Sequence, residues 1–505
     1  MRFSWGLPVL ALVVGAAPIF AMDEISVNAS SSLMASPWLS EVEASESQFL
    51  LDPVQAFTSY NGSEPFTGWG DGALWQGAGF NSSLQGGVRW IGPFWDINVQ
   101  PLVWMSTNDP FFIPTLSSDV PVNSNPPYGD AHRGSWDHPL RMGGDSLYRW
   151  DAGQSRVKVF WGPLYTEIGT RNRIWGASRF NSILLSANGP GVPSVELGLD
   201  PWQTDWGTWE GHLIYGLLKA SGLQVDNGLG GTRFWSGLFL GYSPPFASNL
   251  TLGMGRTVSS YTSQFSFGDF LIPFSTNISI GQDKYDQRIS LMYRYREPSL
   301  GLELYGEWSR NDFNHTWGWW QLLLEHSQNW VLGFRKDLGS GDWGTLRAEA
   351  ELGVLSMGIE YFTVSPGSSG NDFFPNGVDL YTNTYVIEGY TIEGQDLGAA
   401  AGNGNFVLGD LHWEKAEWSV GQRVIRWVKD YSKIVETFKF NATFYTDVSY
   451  LVDTTVQYKM GSWKFSGNLG TNVEFNRLFD AAGGGYNGPP LWQSWHISTG
   501  VSYQF

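Results

Sequence analysis

The chain of 505 residues contains no cysteine, so disulfide bonds and thiolate metal ligands are excluded. Charged residues are scarce, because Asp, Glu, Lys and Arg make up 15% of the sequence, against about 25% in a typical soluble domain. Basic residues number 30 against 48 acidic ones. A nucleic-acid partner, which needs a basic surface, is therefore excluded. Beyond the N-terminal segment, no apolar run reaches the ~18–20 residues of a membrane-spanning helix.

Aromatic residues and glycine are abundant instead. The sequence holds 27 Trp, 21 Tyr, 31 Phe and 62 Gly, and aromatic residues account for 16% of the chain. Barrels of the outer membrane carry aromatic girdles at both membrane interfaces, and tight turns use glycine. The composition therefore favours such a barrel, and a Trp-rich secreted sandwich that binds sugars is the alternative.

The first twenty-one residues have the pattern of an export signal. Arg2 precedes an apolar run over residues 7–20, and Ala21 offers a small residue at the cleavage point, as in a secretory signal peptide. A short polar segment rich in serine follows at residues 22–47, and it lacks helical periodicity. The sequence thus predicts an exported protein whose folded part, residues 48–505, forms one domain.

Alternation of apolar and polar residues recurs from about residue 48 to the end of the chain. In the last ten residues, HISTGVSYQF, every second residue from Ile497 to Phe505 is apolar or β-branched. This period of two predicts a strand with one lipid-facing side and one wet side. We count roughly eighteen to twenty such segments, each near the ~9–11 residues that a tilted spanning strand needs. Examples lie at residues 78–90, 95–100, 156–161, 164–171, 288–297, 300–308, 329–335, 346–354, 438–445 and 463–475.

Two kinds of connection separate these segments. Short connections at residues 161–163 and 297–299 contain Gly or Pro and predict hairpin turns. The long connections are polar and irregular, and they span residues 107–153, 259–286, 311–328, 365–383 and 478–493. Short turns on one side and long loops on the other are typical of outer-membrane barrels. The sequence therefore predicts an all-β fold: a transmembrane antiparallel β-barrel of about 18 strands, with long external loops and short periplasmic turns.

Charged residues on the wet side of these strands form rows of common parity. Arg288, Arg294 and Arg296 share one face of a strand, and Glu303 and Glu307 share the same face of the next. Adjacent antiparallel strands bring such rows side by side. We interpret the rows chiefly as structural ion pairs that line the barrel wall. The alternative is a charged lining that selects solutes or holds an acidic sugar.

Six segments resemble those of a known family. They read DGALWQGAG at residues 71–79, DAGQS at 151–155, RIWG at 173–176, NSILLSAN at 181–188, GLELYGEW at 301–308 and YTIEGQDLG at 390–398. In order and spacing they resemble the capsule-assembly Wzi family of bacterial outer-membrane proteins, from about residue 51 to the end. The resemblance implies an eighteen-stranded barrel that acts as a lectin for capsular polysaccharide. The family's founding member has an N-terminal helical bundle that plugs the periplasmic end, and residues 22–47 depart from it.

Candidate glycan contacts combine aromatic side chains with amides and charged groups. One set lies in the predicted loop at residues 311–328, and the other comes from the inner-face charges and the segments that carry the resemblance. The ten candidates are Trp317, Trp319, Trp320, Asn314, His315, Arg171, Arg173, Trp175, Asn181 and Asn188. Trp202, Trp206 and Trp209 form a further aromatic set. The competing interpretation of these tryptophans is packing within a loop or in the interfacial girdle.

Catalysis finds little support in the sequence. The seven histidines are scattered and form no His-Glu-x-x-His metal motif, and no Gly-x-Ser-x-Gly elbow is present. We therefore predict a protein without catalytic activity, metal or cofactor, whose partners are surface or capsular polysaccharide and the lipid bilayer of the outer membrane. We expect a monomer. The alternatives are a porin-type diffusion channel for small solutes and a structural barrel in envelope assembly.

Overall fold

The structure is a computed structural model that describes residues 47–111, 137–178, 180–223, 228–274, 284–311, 328–357, 380–381, 383, 385–400, 402, 404–428, 448–475 and 491–505. The predicted signal peptide at residues 1–21 lies outside the described residues. So do the polar segment that follows it, except for residue 47, and the strand predicted at residues 438–445. Within the described part of the chain, no helix is long and apolar enough to cross a membrane.

Eighteen strands make up the described fold. They are β1 (Gln48–Asn61), β2 (Gly79–Ile91), β3 (Trp95–Val99 and Leu102–Ser106), β4 (Leu147–Asp151 and Arg156–Trp161), β5 (Leu164–Gly169), β6 (Ser194–Thr204), β7 (Gly207–Lys219), β8 (Thr232–Ser243), β9 (Leu250–Tyr261), β10 (Asp286–Glu297), β11 (Leu302–Asn311), β12 (Gln328–Gly341), β13 (Gly344–Met357), β14 (Asn405–Lys415), β15 (Trp418–Val428), β16 (Val448–Met460), β17 (Trp463–Phe475) and β18 (Leu491–Tyr503). Three short 3₁₀ segments, Thr262–Gln264, Phe267–Phe274 and Pro298–Leu300, complete these elements together with a ribbon in which Thr391–Ile392 pairs with Gln395–Asp396.

The strands close into a barrel. Each strand pairs antiparallel with its neighbours in the chain, and β1 pairs with β18, from Val54 opposite Tyr503 to Asn61 opposite His496. Strands β3 and β4 are each interrupted once, and both pieces of β3 pair with β2. A closed sheet leaves no long exposed edge, which is the requirement for β-structure in lipid. The prediction of a transmembrane antiparallel β-barrel of about 18 strands is confirmed.

The connections are strongly asymmetric. Short turns join β4 to β5 at residues 162–163 and β10 to β11 at residues 298–301, as the sequence predicts. Every connection at this end of the barrel is short, and we call it the short-turn end. The long connections all lie at the opposite end, which we call the loop end. By the usual arrangement of such barrels, the loop end is external and the short-turn end is periplasmic.

The outer surface of the barrel is apolar and carries a zone of aromatic residues at the short-turn end. Exposed leucine, isoleucine and valine side chains alternate with inward polar ones, and Leu352 beside Glu351 is an example. The aromatic zone at the short-turn end contains Phe94, Trp161, Trp202, Trp206, Phe246, Trp343, Trp418 and Trp463. These positions match the girdle of a membrane interface. The Trp202, Trp206 and Trp209 set therefore lies in this girdle and not in an external loop.

The lumen is not the hydrophilic bore that the alternation predicts. Three connections from the loop end fold into it: residues 62–78, 170–193 and the described residues of 380–404. We call these three segments the plug. Trp175, Ile183, Leu184 and Tyr381 of the plug are all fully buried. The expectation of a polar bore is wrong in this half of the barrel, because loop segments with apolar side chains occupy the space that water would fill.

Glycines in the wall make room for the plug. A methyl group at Gly237 of β8 would lie 2.7 Å from the ring of Trp175, and one at Gly255 of β9 would lie 2.5 Å from the side chain of Leu184. Both distances are shorter than van der Waals contact. Glycine within a strand commonly marks such a close approach. Part of the high glycine content therefore serves contact between the wall and the plug.

The inward face near the short-turn end is polar and partly exposed. Glu303 of β11 pairs with Arg294 and Arg296 of β10, both at 3.0 Å, and with Arg335 of β12 at 2.5 Å. Arg335 also pairs with Glu349 of β13 at 3.1 Å. The parity that the sequence shows does bring these charges together across neighbouring strands. The interpretation of the rows as structural ion pairs is confirmed for this group.

Candidate functional site

Five of the ten predicted glycan contacts, namely Trp317, Trp319, Trp320, Asn314 and His315, lie outside the described residues. The other five, Arg171, Arg173, Trp175, Asn181 and Asn188, belong to one plug segment, and all five are buried. The structure therefore brings these five together, but inside the barrel. Their contact with a glycan stays a prediction, and their observed contacts are structural.

The two arginines bind carboxylates of the barrel wall. Arg171 pairs with Glu167 of β5 at 2.6 Å, and Arg173 pairs with Glu167 at 2.8 Å and with Glu196 of β6 at 2.5 Å. Burial by itself would lower the pKa of Arg171, but the charges of Glu167 and Glu196 outweigh it and raise that pKa. Arg171 therefore stays charged, and the two arginines fasten the start of the plug segment to the wall.

The amides hold the plug segments to one another and to the wall. Asn188 donates from Nδ2 to the carbonyl oxygens of Phe180, at 2.9 Å, and Gly398, at 2.7 Å, and its Oδ1 accepts from the N–H of Gly70 at 3.0 Å. All three parts of the plug thus meet at this one side chain. Asn181 donates to Glu351 of β13 at 2.7 Å. Buried backbone groups of an irregular segment need such partners.

Trp175 supplies the apolar contact between this segment and the wall. Its ring stacks on that of Phe239 of β8, with the ring centroids 5.5 Å apart, and it lies near Trp235. A tryptophan of this size removes about 150–250 Å² of surface from water. Its full burial is consistent with a core position in the plug.

Wall arginines also donate to the backbone of the plug. Arg233 of β8 donates to the carbonyl oxygens of Gly389, at 2.5 Å, and Thr391, at 2.9 Å. Arg288 of β10 donates to the carbonyl oxygen of Leu380 at 2.7 Å. These hydrogen bonds satisfy carbonyl groups that the third plug segment cannot pair within itself. The inner-face arginines at this level of the barrel therefore hold the plug and do not line an open channel.

A cavity of about 210 Å³ lies at the loop end, between the wall and the plug. It is lined by aromatic and apolar side chains together with charged and polar ones. The lining residues are Ala73, Trp75, Trp104, Met142, Leu147, Arg149, Trp150, Asp151, Lys219, Ala220, Ser221, Glu393 and Gln395. Pockets for drug-sized ligands measure about 300–1,000 Å³, so this cavity suits a ligand no larger than one sugar ring.

The chemistry of this lining matches a sugar. Trp75 and Trp104 supply aromatic surface, which suits the apolar side of a pyranose, and Arg149, Lys219 and Glu393 supply charged groups for hydroxyl or acidic substituents. A mostly apolar wall with a few directed polar groups is the usual composition of a small-molecule site. This cavity is the candidate functional site.

The sequence does not single out these side chains. Arg149 lies within the predicted connection 107–153, and Glu393 lies in the segment YTIEGQDLG, which is quoted above only for its resemblance. The one available signal is the pair Glu393-Gly394 between Ile392 and Gln395, a sequence that suits a tight two-residue turn. In the structure both turn residues have positive φ, 51° and 81°.

Among the residues that the structure describes, no group of three or more His, Asp or Glu side chains could hold a metal ion. The absence of catalytic activity stays a prediction.

Comparison with known proteins supports the barrel fold but assigns no family to the chain. No known protein family and no curated protein matches the sequence. Among solved structures, the chain is similar to Wzi from Escherichia coli, an outer-membrane protein involved in group 1 capsule assembly and described as a carbohydrate-binding β-barrel. The identity is 14%, the match covers 91% of this chain and 85% of Wzi, and the TM-score is 0.58. A BenF-like porin from Pseudomonas fluorescens Pf-5 matches over 90% of this chain and 98% of the porin at 9% identity, with a TM-score of 0.40.

Proposed function

We propose that this protein binds, or helps to assemble, capsular or other surface polysaccharide at the cell surface, as a monomeric barrel of the outer membrane and without catalysis. The observation that carries the proposal is the cavity at the loop end, where tryptophan and charged side chains converge beside the plug. Sugars are held by this combination of a ring-stacking surface and directed polar groups.

Two further observations support the proposal. Wzi, whose fold is similar, is described as a carbohydrate-binding barrel involved in capsule assembly. The segments that resemble the Wzi family, DGALWQGAG and YTIEGQDLG, contribute Ala73, Trp75, Glu393 and Gln395 to the cavity lining. We therefore propose that the protein belongs to the capsule-assembly type of barrel and acts as its lectin.

The porin alternative meets an obstacle in the plug. Free diffusion needs a continuous aqueous path, and the segment that contains Trp175 places fully buried apolar side chains in the lumen at the loop end. A structural role in envelope assembly, through contacts of the external loops with another envelope protein, is the remaining alternative. Cross-linking from loop positions in intact cells would distinguish that role, because it would trap a protein partner.

The test is binding of surface polysaccharide fractions to the purified protein in detergent, together with the amount of coat that cells retain when they express each variant. We expect Trp104→Ala, at the cavity, to weaken retention. The double variant Trp319→Ala/Trp320→Ala tests, in the same assay, the loop that the sequence predicts at residues 311–328. Trp202→Ala, which removes a tryptophan at the short-turn end, is the matched control.

Each variant is first run unheated on a gel. Only variants that migrate as a folded barrel, like the wild type, are compared in polysaccharide binding. Polysaccharide binding that is unchanged in Trp104→Ala would move the site away from the cavity. A wild-type protein that binds no surface polysaccharide, in cells whose coat is unaffected by deletion of the gene, would refute the proposed function itself.

A further inference from the structure

In the described part of the chain, the barrel wall has a lateral gap at the loop end. The outer piece of β4, Leu147–Asp151, pairs with β3, and no strand in the described part of the chain pairs with its other edge. The next strands in order, β5 and β6, stop short, because Gly169 of β5 pairs with Ser194 at the very start of β6. From there the chain turns inward as plug. Within the residues that the structure describes, β5 and β6 therefore do not extend to this level of the wall.

On the far side of the gap stands the end of β7. The ladder between β6 and β7 finishes with Ser194 opposite Gly216, whereas β7 continues to Lys219 and stays paired with β8. Three interstrand spacings of ~4.8 Å separate β4 from β7, so the gap is about 14 Å across. We call it the window.

The cavity described above lies at this window, because Arg149 of β4 and Lys219 of β7 both line it. Its lining includes Trp75 and Trp104, whose side chains are buried inside the barrel, and also Trp150, which faces outward and is 68% exposed. The cavity is therefore lined by residues from both faces of the wall. Tyr148 and Trp150 flank the opening on the outside, in the position of interfacial aromatic residues.

Glu393 stands in the window between two cations, one on each edge. Its carboxylate lies 3.9 Å from Arg149 of β4 and 3.6 Å from Lys219 of β7. The side chains of Arg149, Glu393 and Lys219 are 48%, 35% and 70% exposed. Pairs this long and this exposed are weak. Another anion that reaches the window can therefore compete with the Glu393 carboxylate.

The backbone conformation and contacts of Glu393 and Gly394 fix the position of Glu393 in the window. Glu393 is one of few non-glycine residues with positive φ, at 51°, a conformation that costs energy for a side chain with a Cβ. Its N–H donates to the carbonyl oxygen of Lys219 at 2.6 Å. On the other side of the turn, Gly394 lies close against Pro139 and Met142, since a Cβ there would come within 2.9 Å of both.

We propose that the window is a binding site for an anionic substituent of a sugar, a carboxylate or a phosphate, which takes the place of Glu393 between Arg149 and Lys219 while the sugar ring rests on the tryptophan faces. The inference rests on the proposed function and names the chemical group that is recognised and the side from which it arrives. The chain carries a net charge of −18, so most of its surface repels an acidic polymer. A local pair of cations at the cavity supplies the attraction.

The experiment measures binding of tetragalacturonate and of its fully methyl-esterified form to the purified protein in detergent, at low salt. The double variant Arg149→Gln/Lys219→Gln should weaken tetragalacturonate binding at least tenfold. Glu393→Gln, which removes the competing charge, should strengthen it several-fold. Neither change should alter binding of the methyl ester. Arg347→Gln, which removes one cation from an exposed pair at the short-turn end, is the control.

A second arm identifies the source of the anion. The same variants in nanodiscs, with and without lipopolysaccharide in the bilayer, report whether a glycolipid beside the window protects Arg149 and Lys219 from chemical modification. Protection by lipopolysaccharide alone points to an outer-leaflet glycolipid, and competition by tetragalacturonate alone points to a free polysaccharide. Either result supports the anionic site.

Equal tetragalacturonate affinity in the wild type and in Arg149→Gln/Lys219→Gln, with no protection by lipopolysaccharide, would overturn the inference. The proposed function fails separately. If the wild type and Arg149→Gln/Lys219→Gln retain native surface polysaccharide equally, the lectin role stands and only the window is wrong. If the wild type binds no glycan at all, the lectin role is wrong.

Discussion

The backbone N–H of Ile183, within the plug, donates a 3.0 Å hydrogen bond to the carboxylate of Glu307 on β11 of the barrel wall. Both residues are buried. A buried N–H of an irregular segment that loses its acceptor costs about 1–3 kcal/mol. This hydrogen bond therefore connects the wall with the plug at a point where water cannot replace it.

Removal of that acceptor should loosen the plug. We expect Glu307→Ala to increase protease cleavage within residues 170–193 and to produce intermittent current in planar bilayers. Glu307→Gln keeps an acceptor oxygen of the same shape and should resemble the wild type. If Glu307→Ala is as resistant and as silent as Glu307→Gln, the hydrogen bond to Ile183 does not hold the plug.

Excision of the plug segment should turn the barrel into a channel. Because Gly169 and Ser194 are paired directly, residues 174–189 can be replaced by a short glycine linker while Arg171 and Arg173 keep their ion pairs with the wall. We expect the wild type to give no steady conductance and the excised protein to give large, steady steps in planar bilayers. Large steps from the wild type would instead favour the porin alternative.

The strands were predictable because their signal is local. A period of two places alternate residues on opposite faces whatever the rest of the chain does. The parity of Arg294 and Glu303 thus anticipates the 3.0 Å ion pair between them, and that of Leu352 and Glu351 anticipates which side chain faces lipid. The short turns were predictable for the same reason, since Gly and Pro mark them within a few residues.

The plug could not be predicted in this way. Its segments have no regular period, and what buries them is contact with partners far away in the sequence. Asn188, for example, donates to Gly398, 210 residues later. The chemistry of the five candidates in this plug segment predicts glycan contacts, and only their position in three dimensions shows that they hold the plug in place. These candidates are Arg171, Arg173, Trp175, Asn181 and Asn188. The proximity of Arg149, Lys219 and Glu393 could not be predicted either. The window that brings them together arises where β5 ends and β6 begins.

Asp71, in the first plug segment, should make stability depend on pH. Burial raises the pKa of its carboxyl to about 7 from the ordinary 3.8, despite hydrogen bonds donated by the N–H groups of Gly68 and Trp69. Between these two values the folded protein keeps a proton that the unfolded chain releases. The contribution of the Asp71 carboxyl to the stability of the folded protein is therefore fully present below about pH 4. It is lost as the pH rises towards and through about 7.

The size of this loss of stability follows from the difference between the pKa values of Asp71 in the folded and unfolded protein. At about 1.4 kcal/mol for each tenfold change in proton affinity, the loss is on the order of 4 kcal/mol. We expect the wild type to resist proteolysis of residues 62–78 better at pH 4.5 than at pH 8. Asp71→Asn keeps an acceptor oxygen without the charge, and the contribution of this residue to the pH dependence should disappear. The same pH dependence in both proteins would contradict the assignment.

Asp96 of β3 should be critical for the stability of the wall. It accepts hydrogen bonds of 2.8 and 2.7 Å from Arg89 and also pairs with the fully buried Arg156. Asp96→Asn leaves two buried cations without their anion, and breaking a buried pair costs about 3–5 kcal/mol. We expect the temperature at which the barrel loses its folded gel mobility to fall clearly. Asp337→Asn, in the exposed 3.1 Å pair with Arg347, is the control and should cost less than about 1 kcal/mol. Equal transition temperatures for the two variants would show that the wall does not depend on this buried charge.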